Sequence, residues 1–331
     1  MTLLESTGIP QIDQLLRGVI GLVELSFPDR IRGYYLEGSY ADGSAVSTSD
    51  VDLRVVFKSS ATSEEKERFA RLLDYCRLLS AYPLDIKADS EAALLRIGAI
   101  RFQAARLLYG TDIRAAVPHK PLVDYVRDNM HGQYQLFVRV RGNPGGLTFP
   151  LDYPDPAAEF YGYDCRRLRL PDGTIRAGTK DLVLNVLWPA TALIGLEAAQ
   201  YVTSKRDCVV QYRRWINDEW TDLIEALDAL CRQQWSYLVP EAAHERQQLR
   251  ALCQRGLAFE NHFLARYKVY LLTELDQTDD AITLLALQRL GQILYRDAAV
   301  IAAIQAAEQR ANPTLRQAAT QVLARYAEIT D

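Results

Sequence analysis

The apolar residues of this chain change period twice, and those changes restrict it to a fold that is part sheet and part helix. Residues 12–25 carry apolar side chains at Ile12, Leu15, Leu16, Val19, Ile20, Leu22 and Val23, the stripe of an amphipathic helix that stops before Phe27-Pro28. The period then drops to that of strands. Residues 31–36 and 51–57 are short β-branched and aromatic runs, separated by Gly38-Ser39-Tyr40-Ala41-Asp42-Gly43-Ser44 and then Ser47-Thr48-Ser49. Strand, small-residue loop and strand are predicted there. Residues 63–79 return to helical spacing and 82–87 form another short strand. Residues 90–108 read as a helix opened by Ser90 as cap, with Glu91 in its first turn.

Between 117 and 178 the composition shifts to Pro, Gly and Tyr, which predicts a connector or lid. Within it, 166–170 and 174–177 flank Pro171-Asp172-Gly173 as a hairpin. From Thr179 onward the pattern is helical, with candidates at 181–200, 207–215, 220–237, 241–256 and 257–275. The tail adds amphipathic helices at 280–292, 297–310 and 313–329. Its Asn312-Pro313-Thr314-Leu315-Arg316-Gln317-Ala318-Ala319 is similar to the second helix of a HEAT-type repeat, although one unit falls short of the roughly three that a solenoid needs.

Composition sets the outer bounds. With 38 Lys+Arg against 42 Asp+Glu the formal charge is −4, which disfavours a nucleic-acid backbone as the main partner. Hydrophobic residues at 49% and charged residues at 24% belong to a globular chain, and 331 residues suggest about two domains. The five cysteines include no Cys-x-x-Cys and leave one over after pairing, so they read as reduced thiols of a cytoplasmic protein. The early apolar run is broken by Glu24 and has no basic leader, so no signal peptide is predicted. No stretch approaches the ~20 uninterrupted apolar residues of a membrane span.

The chemistry concentrates at Gly38-Ser39 and, after ten intervening residues, Asp50-Val51-Asp52. Side chains alternate across a strand, so Asp50 and Asp52 share one face while Val51 turns to the core. Adjacent carboxylates repel unless a cation joins them, and Mg²⁺ takes such oxygen ligands together with substrate phosphates. Gly38 and Ser39 offer a backbone N–H and a hydroxyl that can approach a phosphate closely. Asp85, in Leu84-Asp85-Ile86-Lys87, stands on another strand face. Three acids converging from neighbouring strands would hold a metal and activate a hydroxyl.

Gly-Ser, a spacer, Asp-x-Asp on a strand and a later acid on a neighbouring strand together resemble the DNA polymerase beta-like nucleotidyltransferase superfamily, on Gly38, Ser39, Ser49, Asp50, Asp52 and Asp85. Within it, the run from Gly38 to Gly43 followed by Ser49-Asp50-Val51-Asp52-Leu53 is most similar to streptomycin- and spectinomycin-type aminoglycoside adenylyltransferases. Thr179-Lys180-Asp181 opening a long helix with Trp188, and Ser204-Lys205 after the next turn, extend the resemblance faintly. It implies an α+β chain: a nucleotidyltransferase domain of mixed sheet and helices at 1–117, the connector at 118–178, a helical domain at 179–274 and HEAT-like helices at 275–331. It also implies Asp50, Asp52 and Asp85 as catalytic and metal-binding, and Gly38, Ser39, Ser49 and Lys205 as nucleotide-binding. Mg²⁺ would be the cofactor, ATP the co-substrate and a hydroxyl-bearing small molecule the acceptor. Asp85 departs from the pattern, since the streptomycin-type enzymes have Glu there, and the connector is longer.

Other readings compete. Arg166, Arg167, Arg169 and Arg176 around the hairpin would suit a macromolecular acceptor such as tRNA or a protein, and the tail alone would suit an interaction protein with a vestigial site. The segment 149–164, with four acids, five aromatics and no basic residue, suits either a polycationic sugar or plain packing. His119, His131, His244 and His262 have no metal spacing. Arg114 and His119 match an Arg-x4-His ribonuclease spacing, but Pro118 interrupts the helix that would present both. Trp188, Trp215, Trp220 and Trp235 read as core.

Overall fold

The computed structural model describes residues 2–143 and 145–328. In chain order the first half runs α1 (Pro10–Ser26), β1 (Ile31–Glu37), α2 (Gly38–Ala41), β2 (Val51–Phe57), α3 (Ser63–Leu79), β3 (Leu84–Ser90), α4 (Glu91–Ile97), α5 (Ile100–Gln103), β4 (Arg106–Gly110), α6 (Leu122–Gly132), α7 (Tyr134–Arg141) and β5 (Leu147–Phe149). The hairpin β6 (Arg166–Arg169) and β7 (Ile175–Gly178) follows. Then come α8 (Lys180–Ala198), α9 (Lys205–Trp215), α10 (Thr221–Ala226), a π-helical stretch Leu227–Gln234, α11 (Ala243–Leu275), α12 (Asp280–Gln292), β8 (Ile293–Tyr295), α13 (Ala298–Glu308) and α14 (Pro313–Ala327). The chain is α+β, with its mixed sheet near the amino terminus and a helical remainder.

Contacts divide it into two compact units. The first gathers Met1–Val126, Arg166–Lys180 and Ile194–Val239. Its sheet has the order β3-β2-β1-β4, with β2 parallel to β3 and β1 antiparallel to both β2 and β4. The parallel pair requires a crossover, which α3 provides. Thr62 and Glu65 close a capping box at its start. Val51, Leu53, Val55 and Phe57 alternate onto the face covered by α1 and α3, where Phe27, Phe57 and Phe69 meet edge to face. Tyr35, Val56, Leu94, Phe102 and Leu107 form a smaller core on the opposite face. That second core lies toward one end of β2, and Asp52 and Arg54 share its face.

The expected helix over 90–108 is instead α4, α5 and then strand β4. Gly98 ends α4 at φ +74, and a Cβ there would lie 2.6 Å from the carbonyl oxygen of Pro118. Leu107 and Leu108 then point into the two different cores, which only a strand allows. The hairpin forms as expected, with Arg167 opposite Ala177 and Arg169 opposite Ile175. The connector is not bare loop, since it contains α6, α7 and β5.

The second unit, Arg127–Cys165, Asp181–Leu193 and Pro240–Asp331, is largely helical. The two helices expected at 241–256 and 257–275 are one 33-residue helix, α11. Gly256, which looks like a break, is a packing glycine: a Cβ would stand 2.7 Å from Leu182 Cδ1. The tail helices form as read, except that Ile329 lies outside the described residues. Lys180–Ala198 is long and apolar enough to cross a membrane by length and composition alone, although polar residues interrupt its apolar run, and is mostly buried within the protein. All five cysteines are free.

Gly98→Ala is expected to lose roughly 2–4 kcal/mol of stability, from left-handed backbone plus a clash with fixed backbone atoms. Gly173→Ala, at φ +86 with nothing within 4 Å, should lose only about 1 kcal/mol, the backbone term alone. Urea unfolding of both variants measures the difference.

Candidate active site

β1 delivers Glu37 and then, without a gap, Gly38 and Ser39 in the short helix α2. Gly38 has φ +66, and a Cβ on it would run into Asp52 Oδ2. The glycine therefore lets the carboxylate lie against the backbone. Strand register does the rest: Asp52 is opposite Glu37 on β1 and opposite Asp85 on β3. Asp50 stands just before β2, so Asp50, Asp52 and Asp85 gather at one end of the sheet.

Their environments differ. Lys180, only 7% exposed, places Nζ 3.0 Å from Asp50 Oδ1, and the same ammonium lies 5.9 Å above the Tyr237 ring. Burial pushes the Asp50 carboxyl up, but Lys180 outweighs it and the net shift is downward. Asp52 is pushed up to about 7 by burial first and by Asp50 and Asp85 next. Asp85 is half-exposed and paired with Lys87 at 3.0 Å. Lys205 is lowered to about 8 by burial and then by Lys180, while Asp50 and Asp52 pull it back.

Glu37 would add a fourth negative charge beside Asp52. Arg54, on the same face of β2, binds it through Nε and through Nη2 at 3.1 Å, and also binds Asp89. The loop before Asp50 is closed by Ser49, whose Oγ accepts from Val46 N–H at 2.9 Å while its own N–H donates to the Val46 carbonyl. Ser49 thus shapes the loop, and its hydroxyl proton is left to donate elsewhere.

Three carboxylates at one sheet end form an oxygen donor set suited to a hard cation. The raised Asp52 marks a crowding of negative charge that a cation would relieve. Among the described residues no three His, Cys, Asp or Glu side chains already stand in a metal-holding arrangement, with Asp50 turned onto Lys180 and Asp85 onto Lys87. The donors fit Mg²⁺ by chemistry, and two ion pairs must open to admit it.

Of the residues picked from sequence, Gly38, Ser39, Ser49, Asp50, Asp52 and Asp85 lie together, and Lys205 is electrostatically coupled to Asp50 and Asp52. Lys180 and Arg232 are not among those residues. Lys180 had a signal, a lysine opening a long apolar helix; Arg232 had none. The acidic aromatic segment belongs to the second unit, where Phe160, Tyr161 and Tyr163 are buried and Tyr163 donates to Glu260 at 3.0 Å, so its aromatics are packing. Trp235 is buried as expected, whereas Trp215 is 47% exposed under Arg214.

Residues 22–103 match the nucleotidyltransferase domain family. No curated protein matches the sequence significantly. Among solved structures, a spectinomycin adenyltransferase from Enterococcus faecialis, solved with ATP and spectinomycin, is similar at TM-score 0.46 and 11% identity, over 75% of this chain and 98% of that one. Residues 22–103 are thus a nucleotidyltransferase domain, a domain of enzymes.

A carboxyl raised on folding binds its proton more tightly in the native state, so Asp52 costs stability as pH climbs from its ordinary 3.8 toward about 7. Asp52→Asn is expected to melt higher than the natural protein in EDTA at pH 8, with the gap closing by about pH 4. Thermal melts across that range check the sign.

Proposed function

We propose that this enzyme transfers AMP from ATP to a hydroxyl of a small molecule, with an aminoglycoside-type antibiotic as the acceptor class favoured by the motif resemblance. The observation that carries it is the convergence of Asp50, Asp52 and Asp85 beside Gly38-Ser39, faced by Lys180 and Lys205. Five free thiols, four of them buried, suit a reducing, cytoplasmic setting.

Asp50 and Asp52 are the residues that would hold Mg²⁺. Bound there, the ion supplies charge neutralisation for the triphosphate. Lys180 and Lys205 supply fixed positive charge for phosphate oxygens, and the Gly38 N–H with the Ser39 hydroxyl supplies donors. The acceptor oxygen attacks the α-phosphorus as the bond to pyrophosphate breaks. Asp85, the most exposed of the three acids and the one on the neighbouring strand, takes the hydroxyl proton. Little covalent chemistry is asked of the protein, so rate comes from positioning and electrostatics.

A second acceptor class is favoured by the exposed cations of the same unit, Arg167 and Arg169 on β6 and Arg206 and Arg214 on α9. They suit a tRNA-like polyanion.

Incubation with labelled ATP, Mg²⁺ and an aminoglycoside panel should yield an acceptor heavier by one AMP, read by mass spectrometry. Label passing instead into RNA would favour the second class. Asp50→Asn and Asp52→Asn should each lower turnover by roughly 10³-fold or more, since several kcal/mol are lost at ~1.4 kcal/mol per tenfold. Near-normal turnover in either contradicts the assignment. KM for ATP should rise above about pH 8 as Lys205 loses its proton, and Lys205→Arg, charged at every accessible pH, should flatten that rise.

A further inference from the structure

The loop that joins Ser39 to Asp50 is tied at two points to chain 188 residues away. Arg232 Nη2 donates to the Ser44 carbonyl at 2.8 Å and to Ser44 Oγ, while Nη1 donates to Asp228 at 2.8 Å. Ser44 N–H in turn donates to the carbonyl of Ser39 at 2.9 Å. One guanidinium, 1% exposed, is therefore two hydrogen bonds from the residue that the proposed mechanism sets against phosphate. The second tie runs from Thr48 Oγ1 to the carbonyl of Ser236, two residues before Asp50.

The segment that provides both ties is unusual in its backbone. Leu227–Gln234 is π-helical, and Ser236 and Tyr237 follow with φ of +49 and +62. Wide helical turns and left-handed non-glycine residues persist only where surrounding contacts hold them, and they cluster at working sites. Here the contacts that hold them include those with the loop and the Tyr237 carbonyl, which accepts from Thr179 N–H at 2.6 Å next to Lys180, besides backbone bonds within the turn and to Ala177. The same turn thus touches the anchor of Lys180 and the loop of Ser39 and Asp50. Burying a guanidinium is costly unless its charge has a use or a full set of partners. Its field reaches the site, because Arg232 is among the charges that depress Lys205.

We propose that Arg232 is a positioning residue for the nucleotide: it holds the Ser39–Asp50 loop in its phosphate-receiving shape. The inference rests on the nucleotidyl-transfer reading and extends it to a residue that never needs to touch the substrate. A purely structural arginine would lower melting temperature alone. A positioning arginine weakens nucleotide binding in protein that remains folded, and raises KM for ATP more than it lowers kcat.

Calorimetric titration of the full chain with ATP and Mg²⁺, without acceptor, separates these. Arg232→Met is expected to weaken binding about tenfold or more, as loss of a charge-assisted hydrogen-bond pair predicts. Ser44→Ala, which removes the side-chain half of the tie together with the Ser44 Oγ–Asp42 hydrogen bond, should weaken it about threefold, and Arg232→Lys should recover part of the loss. If natural protein does not bind ATP with Mg²⁺, the nucleotidyl-transfer reading itself fails. If it binds, and folded Arg232→Met is within about twofold of it, the positioning role is overturned. Should Arg232→Met not fold, the same criterion applied to Ser44→Ala decides.

Discussion

Repulsion among Asp50, Asp52 and Asp85 is the interaction around which the first unit is arranged. Strand pairing forces it: the parallel register of β2 and β3 sets Asp52 beside Asp85, and the antiparallel register with β1 sets Glu37 on the other side of Asp52. A core would not tolerate such crowding unaided. Lys180 neutralises Asp50, Arg54 removes Glu37, and Lys87 covers Asp85. Each of these cations belongs to the protein, and Asp52, left without an ion pair of its own among them, retains a reason to bind a metal.

Gly38 makes that arrangement sterically possible, since the space its missing side chain leaves is taken by the Asp52 carboxylate. The loop beyond it is then kept short and stiff by Ser49, Ser44 and Thr48. Through Arg232 and Ser236 the stiffness is supplied by chain far from the sheet. This explains why the compact unit holding the site is discontinuous, drawing on Arg166–Lys180 and Ile194–Val239 as well as on the first 126 residues. The nucleotidyltransferase domain match ends at residue 103 and so covers the acids but neither Lys180, Lys205 nor Arg232.

What could be read from the sequence follows the range of the forces involved. Asp50, Asp52 and Asp85 were visible because strand alternation is local and a run of two or three residues reveals it. The helices at 10–26 and 63–79 were visible for the same reason. Residues 106–110 misled because Leu107 and Leu108 serve two cores at once, which looks like one helical stripe. Gly256 misled because the same residue that breaks an exposed helix admits close packing in a buried one. Lys180 and Arg232 act on partners 130 and 188 residues away, and no local pattern encodes such a pairing.

The account stands or falls on whether the acids bind a cation jointly with a triphosphate. Titrating Mn²⁺, a spectroscopically visible substitute for Mg²⁺, into the protein and following free Mn²⁺ by electron paramagnetic resonance tests this with and without a non-hydrolysable ATP analogue. The account predicts weak binding alone, marked tightening with the analogue, and loss of the tightened site in an Asp50→Ala, Asp52→Ala double variant. Equal Mn²⁺ uptake by the double variant and the natural protein in the presence of the analogue would contradict it.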